Sequence, residues 1–327
     1  MRLRWLLCTV GCTVLLHCGT DTPVTPAVDN TLALHVLQDS TRTIGDALAL
    51  GLNDLTLAPE PLLSADDIIA YDYSSHTMHL QGERADVLPY RARDGLFPAS
   101  WWGRPFVVLA GGSRQYIGSF VSVAQLPMHQ VPYIQDVGQY PSDVIHISWI
   151  WPFLTDRRAI TSMRGDPLQD ALLRPGFSLR LAKILVVENA DVCTLSYTFE
   201  LRNDDSDALY ALDPELAGAA LFHFFVNGPL LLNEAEGQDY RADAAEIVSP
   251  EPFDHWDPSW FSRIPPAQTM RRTVRLSGYP HLPPGTYRAR LRYAGPVNIR
   301  QEQRHLADGR YWLGPVDSDL VSVTIDE

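Results

Sequence analysis

The stretch that decides the fold class is PPGTYRARLRY, residues 283–293. From Tyr287 to Tyr293 apolar residues alternate with arginines, which predicts a strand with one buried face and one face in water. The Pro-Pro-Gly before it is a rigid turn that leads into the strand. Residues 195–202, LSYTFELR, alternate in the same way, and their polar positions, Thr198 among them, are expected to face water. Both stretches predict strands that pack one face against a core.

Further β-like runs surround these two stretches at short intervals, separated by turn residues. In the second half of the chain they are residues 177–187, 192–201, 221–226, 269–276, 286–293 and 320–325. Short strands at this spacing predict an antiparallel sandwich.

The first half of the chain has the signals of two hairpins and one helix. Residues 68–80 predict two strands joined by a Ser-Ser turn, and residues 104–121 predict two strands around a Gly-Gly turn. Residues 40–52 predict a short helix capped by Ser40 or Thr41. This half is therefore expected to be rich in β structure with a small helical part.

The second half resembles a known class of module in three segments. They are ELRNDDSDALYAL at 200–212, PPAQTMRRTVRL at 265–276 and LPPGTYRARLRY at 282–293. In these segments residues 177–327 resemble the immunoglobulin-like sandwich modules of bacterial cell-surface and inhibitor-like proteins. The resemblance implies the fold, whereas the function of such modules lies in loops that vary freely.

The first half resembles an uncharacterised exported bacterial module. The similarity lies in LAPEPLLSADDIIAYDYSSHTMHL at 57–80 and GRPFVVLAGGSRQYIGSFVS at 103–122, and it spans residues 55–175. It implies no catalytic residues. A helix signal at 166–173, closed by Pro-Gly, places a domain boundary at 176/177.

The N-terminus has the features of a bacterial export signal. Arg2 and Arg4 precede an apolar run from Trp5 to Leu16, which is shorter than the ~20 residues that a membrane span needs. Leu-Leu-His-Cys then ends in Cys18 and resembles a lipobox, although histidine is bulky for the position before the cleaved bond. An ordinary secretory signal is the alternative. We expect Cys18 to be lipidated and to anchor the protein to the membrane.

The complete expectation is a mainly β protein with two domains. Residues 1–17 are the signal peptide and residues 18–30 a flexible tether. Residues 31–176 form a small mixed α/β or β domain, and residues 177–327 form an immunoglobulin-like antiparallel β-sandwich.

Composition narrows the possible partners. There are 26 basic and 39 acidic residues, giving a formal net charge of −13, and no basic cluster is dense. This predicts that nucleic acid is not a partner. Cleavage before Cys18 would remove Cys8 and Cys12, and acylation would occupy Cys18. Cys193 would then be the one free cysteine, which we expect to be a buried structural thiol.

Aromatic residues concentrate in a proline-rich segment of the second half. They are Phe253, His255, Trp256, Trp260 and Phe261. Such a loop can display rings that bind a sugar or the apolar surface of a protein, and Trp256, Trp260 and His255 are the candidate ligand-binding residues. The structural interpretation, which we favour, is that the rings close the open end of the sandwich.

Three other patterns have structural explanations. His76 and His79 are three residues apart in a predicted strand, so they would point to opposite faces rather than to one metal. Residues 203–207, NDDSD, lack the glycine and the distant glutamate of a calcium loop and predict a hairpin turn. The Arg-Gly-Asp at 164–166 is better explained by Asp166 as a helix cap than by adhesion.

No sequence motif names a reaction. The chain lacks a nucleophile elbow, a phosphate loop, a dinucleotide fingerprint and a zinc-binding His-Glu-x-x-His helix. We therefore expect a non-enzymatic lipoprotein of the bacterial cell envelope, without metal or cofactor, that binds an envelope protein or a glycan or has a structural role. The alternatives are an exported hydrolase with a site between the domains and an inhibitor of an extracellular protease.

Overall fold

The chain is mainly β, as the sequence predicts. The computed structural model describes residues 32–72, 74–81, 99–122, 131–135, 140–141, 143–148, 179–180, 186–191, 194–233, 235, 237–242 and 247–325. Within these residues no helix is long and apolar enough to span a membrane.

The N-terminal part forms one eight-stranded sheet. Its strands are β1 (Leu32–Val36), β2 (Leu63–Ser64), β3 (Ile68–Asp72), β4 (Thr77–Leu80), β5 (Pro105–Ala110), β6 (Ser113–Val121), β7 (Tyr133–Gln135) and β8 (Val144–Ser148). They lie in the order β2-β1-β5-β6-β7-β8-β4-β3. The pair β6 and β7 is parallel, and the other pairs of this sheet are antiparallel.

Both hairpins predicted in this part are present. Gly111 and Gly112 have φ of +56° and +71°, and a type I′ turn needs such left-handed values at both positions. Gly118 pairs with Phe106 across β5 and β6, where a Cβ on the glycine would stand 2.1 Å from the Phe106 ring. The ring therefore covers the glycine, and a larger residue at position 118 would displace it.

The helix expected in residues 40–52 is shorter than predicted and has a different cap. Helix α1 is Ile44–Leu50, and Thr43 rather than Ser40 or Thr41 is its N-cap. The Thr43 hydroxyl accepts from Asp46 N at 3.3 Å, and the Asp46 carboxylate accepts from Thr43 N at 3.0 Å. Thr43 is the cap because it has an acidic residue three positions later, which completes a capping box.

The C-terminal part contains thirteen strands in three sheets within the described residues. They are β9 (Leu179–Arg180), β10 (Val186–Asp191), β11 (Thr194–Asn203), β12 (Ala208–Leu212), β13 (Pro229–Asn233), β14 (Gln238–Tyr240), β15 (Phe261–Ile264), β16 (Thr269–Ser277), β17 (Gly285–Tyr293), β18 (His305–Leu306), β19 (Gly309–Tyr311), β20 (Val316–Asp317) and β21 (Val321–Ile325).

Two of these sheets contain nine of the thirteen described strands of the C-terminal part. One sheet runs β10-β11-β16, with β9 on β11, and the other runs β14-β13-β17-β20, with β21 on β17. This order is consistent with the expected sandwich. The Tyr287 hydroxyl donates to the Pro283 carbonyl at 2.6 Å, which is the tyrosine corner of many such domains.

The strands of the third sheet lie in the segments that connect strands of the other two sheets. Strand β12 lies between β11 and β13, β15 lies between β14 and β16, and β18 and β19 lie between β17 and β21. They pair in the order β15-β12-β19-β18, and we call them the insertion sheet.

The alternating strands place their apolar faces in the core. Leu195, Tyr197, Phe199 and Leu201 of β11 and Tyr287, Ala289, Leu291 and Tyr293 of β17 are all at most 1% exposed. The expectation that Thr198 faces water is wrong. Thr198 is buried, and its hydroxyl lies 2.8 Å from that of Thr273 on β16. A cross-strand hydroxyl pair satisfies both groups without water.

Residues 221–226, predicted as a strand, are helical, so that prediction is wrong. Helices α2 (Pro214–Ala217) and α3 (Ala219–Val226) follow one another. Asp213 caps the first, with Pro214 at its start, and Asn227 ends the second in the left-handed conformation at φ +58°. The short apolar run fits either state by composition, and these end signals determine that it is a helix. A final helix, α4, is Gln301–Arg304.

Several predictions lie outside the described residues. They are the signal peptide at 1–17, the tether at 18–30, the helix at 166–173, the boundary at 176/177 and the environment of Cys193.

Candidate functional site

The N-terminal sheet and the insertion sheet meet at a buried group of charged side chains. It contains Asp72 at the end of β3, His79 on β4, Asp205 in the turn between β11 and β12, and Arg310 on β19. We call these four residues the charge cluster.

Arg310 joins carboxylates from the two parts of the chain. Its Nη2 donates to Asp72 Oδ1 and its Nη1 donates to Asp205 Oδ2. Arg310 is 4% exposed, Asp72 0% and Asp205 5%. Because both contacts are ionic and shielded from water, they are much stronger than the same pairs would be at a surface.

His79 completes the cluster on the other oxygen of Asp72. Its Nε2 lies 2.8 Å from Asp72 Oδ2. Burial lowers the pKa of His79, although Asp72 opposes the shift, so the neutral ring donates to the carboxylate. Burial alone would raise the pKa of Asp72, but Arg310 and His79 outweigh it and bring the pKa to about 2. Asp72 is therefore ionised at neutral pH.

A second ion pair and a close backbone contact lie beside the cluster. Arg304, 0% exposed, donates through Nη2 to Asp143 Oδ2 and through Nη1 to the Ile299 carbonyl at 3.1 Å. Gly314 has φ +88°, and a Cβ there would stand 2.6 Å from Thr77 Oγ1. The β3–β4 hairpin thus packs directly on the chain after β19.

The chemistry of the charge cluster is that of a structural bridge. A general acid or base must reach the proton that it transfers. Asp72 and His79 are both 0% exposed and bind each other, and Arg310 holds the second oxygen of Asp72. The cluster can fix the two parts of the chain together, and this arrangement leaves its carboxylate and imidazole closed to a substrate.

The two histidines that were weighed as metal ligands have different partners. His76 lies in the β3–β4 turn at φ +50°, and its Nδ1 is 2.7 Å from the Tyr71 hydroxyl. His79 binds Asp72. Among the described residues, no three histidine, cysteine or acidic side chains are placed to hold a metal ion.

The aromatic segment packs its two tryptophans against the C-terminal core. Trp256 and Trp260 are half-buried on that core. The Trp256 ring lies 5.2 Å from that of Tyr311, and the Trp260 ring lies 6.5 Å from that of Phe225. This packing agrees with the structural interpretation of the segment, and ligand binding by the two rings stays a prediction.

His255 and Phe253 lie further out. His255 is exposed, with its ring 5.5 Å from that of Trp260 in an edge contact. Phe253 is 74% exposed, and its ring lies 5.2 Å from that of Phe224 on α3. Val248, 59% exposed, donates its N–H to Ala220 O of the same helix at 3.3 Å.

Ring contacts join Phe253, Phe224, Phe225 and Trp260 into one apolar surface, and the Val248 hydrogen bond places Val248 beside the same helix, α3. Leu216 on α2, 52% exposed, extends it, because α2 packs against both α3 and the 3₁₀ turn Pro258–Trp260. We call this surface the apolar patch; its members are Leu216, Phe224, Phe225, Val248, Phe253 and Trp260.

Sequence reasoning missed the charge cluster and four of the six members of the apolar patch. Asp72 and Arg310 are 238 residues apart, so no local pattern connects them. Asp205 lies at 203–207, a segment whose acidic residues are already accounted for by the predicted hairpin turn. The prediction of a strand at 221–226 misses Phe224 and Phe225, and no element is predicted at Leu216. The Asp-Pro and Asn-Gly end signals at 213–214 and 227–228 favour helices there.

Comparisons of the chain with protein-family models, with curated proteins and with solved structures find no match. Cys18 and the Arg-Gly-Asp at 164–166 lie outside the described residues.

Proposed function

We propose that this chain is a non-enzymatic, lipid-anchored module of the bacterial cell envelope that binds another envelope component through its apolar patch. The observation that carries the proposal is the exposure of Phe253, Val248 and Leu216, at 74%, 59% and 52%, on three segments that each contact α3. Large apolar side chains exposed side by side are typical of interaction sites.

The segment that presents Phe253 is held by several hydrogen bonds. His255 N donates to the Pro252 carbonyl at 2.8 Å, and Asn298 Nδ2 donates to the Asp254 carbonyl. Asp257 accepts from Ser259 N at 2.8 Å. A loop ordered before it meets its partner loses less conformational entropy on binding.

The anchor and the location are supported by the sequence. Two arginines, an apolar run and the Leu-Leu-His-Cys ending at Cys18 together form a lipoprotein-type signal. The net charge of −13 opposes binding to anionic headgroups, so membrane attachment would depend on the lipid. Cys18→Ala should therefore release the protein from the detergent phase and remove the acyl mass; retention of both would contradict the anchor.

The alternatives have less support. A hydrolase with a site between the two parts would need accessible acid and base groups there, whereas Asp72 and His79 are buried and bound to each other. A protease inhibitor rests on the resemblance of residues 177–327 alone.

Site-specific photo-cross-linking in the native envelope tests the binding surface. A photoreactive phenylalanine derivative is placed at Phe253 and, as the matched control, at Leu48, which is 42% exposed on α1 in the N-terminal part. We expect a discrete adduct from position 253 that Val248→Asp removes, and none of the same mass from position 48. Identical products from both positions, or none from position 253, would overturn the proposal.

A further inference from the structure

The apolar patch has an acidic border. Residues 247–260 contain Glu251, Asp254 and Asp257 and no lysine or arginine. Glu251 and Asp254 are exposed, and Asp257 is partly exposed. Hydrogen bonds from Ser259 lower the pKa of Asp257, which keeps that carboxylate ionised at neutral pH. Three negative charges therefore lie in the same short segment as the exposed Phe253 ring.

Arg272, a cation that lies close to α2, already has carboxylate partners. Arg272 on β16 donates through Nε at 2.8 Å to Asp213 Oδ1, and its Nη2 contacts Asp213 Oδ2 at 2.5 Å. The same Nε lies 3.3 Å from Glu215, whose side chain is 66% exposed beside Leu216. Because this one arginine faces two carboxylates, Asp213 and Glu215, the group keeps a net negative charge beside Leu216 and adds to the acidic border.

Charge and shape together select the partner. An apolar surface bordered by carboxylates favours apolar groups that carry cations beside them, and it disfavours anionic lipid, nucleic acid and acidic proteins. We infer that the apolar patch binds a cationic segment of a partner protein, in which aromatic or aliphatic anchors are flanked by lysine or arginine. This inference rests on the proposed function and specifies its partner.

The mode of binding follows from the geometry. The anchors of the segment would pack on Phe253, Val248 and Leu216, where the exposed area is greatest. The flanking cations would lie over Glu251 and Asp254 at the rim, where contacts contribute to selectivity and association rate more than to affinity.

Two short synthetic peptides test the inference with the full chain. They share the same apolar anchors, and one has lysines and the other glutamates in the flanks. Fluorescence anisotropy of the labelled peptides should show the lysine peptide binding at least about tenfold more tightly, with the difference shrinking as ionic strength rises.

Matched variants separate the anchor from the charges. Phe253→Ser should strongly weaken binding of the lysine peptide. The double variant Glu251→Gln, Asp254→Asn should weaken binding of the lysine peptide by about 2- to 20-fold and strengthen binding of the glutamate peptide. Leu48→Ser, an exposed apolar position on α1, should change neither.

Each contrary result has a distinct meaning. Equal affinity of the two peptides, or no binding of either, overturns the inference, while a position-253 cross-link seen in the same strain leaves the proposed function standing. Binding of phosphatidylglycerol vesicles that Phe253→Ser abolishes would show a lipid surface and overturn the inference as well. Loss of the cross-link itself is a failure of the proposed function.

Discussion

Replacing Arg310 with methionine would remove the guanidinium that donates to both Asp72 and Asp205. Methionine fills much of the same volume, so the change is mainly electrostatic. Two carboxylates that are 0% and 5% exposed would lose their common cation. Removing one partner of a buried ion pair costs about 3 to 5 kcal/mol of unfolding free energy, because the remaining charge is left uncompensated.

The cost should depend on pH in a defined direction. The pKa of Asp72 is about 2 in the folded chain against a usual value of 3.8. The stabilisation from its ionised form is thus complete above about pH 4 and is lost as the pH falls toward 2. The difference between wild type and Arg310→Met should therefore be largest near neutral pH and shrink in acid.

Urea unfolding at neutral pH measures the effect, with Arg263→Met as the matched control. Arg263 also pairs with an aspartate, Asp308, at 2.8 Å, but the two side chains are 45% and 51% exposed. An exposed pair contributes at most about 1 kcal/mol. If the two variants unfold within about 1 kcal/mol of each other, the reasoning about burial is wrong.

Three further predictions use the same measurement. Burial lowers the pKa of His223 to about 4, so the free energy of unfolding should fall by up to about 3 kcal/mol as the pH drops from about 6.5 to 4. His223→Gln should make this pH dependence less steep; an unchanged pH dependence would mean that other groups cause it. Trp256→Ala should lower the free energy of unfolding by about 2 to 3 kcal/mol, since the half-buried ring packs on the core, whereas Phe253→Ala should lower it by less than about 0.5 kcal/mol. Equal losses in the two variants would contradict this packing. Gly314→Ala should lower the free energy of unfolding by about 1 to 3 kcal/mol, more than Gly103→Ala does. Both glycines have positive φ, but of the two only Gly314 has other atoms within 4 Å of an added Cβ. Equal losses would mean that the structure relaxes around the new Cβ at position 314.

The sequence predicted those parts of the fold that depend on local signals. The alternation in residues 195–202 and 287–293 identified β11 and β17 and their buried faces, and the Gly-Gly turn identified the β5–β6 hairpin. Each of these depends on side-chain period or turn geometry within about ten residues. The prediction of a strand at 221–226 is wrong because it relies on the composition of the run and ignores the helix end signals on either side.

The candidate sites were harder to predict because their members come from distant parts of the chain. The insertion sheet pairs strands from three separate connections, and β12 is parallel to β19, with Ala208 opposite Gly309. Such a pairing leaves no periodic pattern in the sequence, since each strand is only two to five residues long. Arg310 therefore reads as an ordinary surface arginine until the fold brings Asp72 beside it.

The insertion sheet also explains why the bridge and the apolar patch can serve separate roles. Strand β19 carries Arg310, and β15, two strands away across β12, begins where the Pro258–Trp260 turn of the patch segment ends. The contacts that hold the patch, among α2, α3 and that turn, belong to the C-terminal part and do not pass through the charge cluster in the described residues. Breaking the cluster should consequently loosen the N-terminal sheet and leave the patch formed, because ring packing and strand pairing hold it locally. Affinity for a cationic segment and stability of the junction are therefore expected to vary independently, with Phe253→Ser changing the first and Arg310→Met the second.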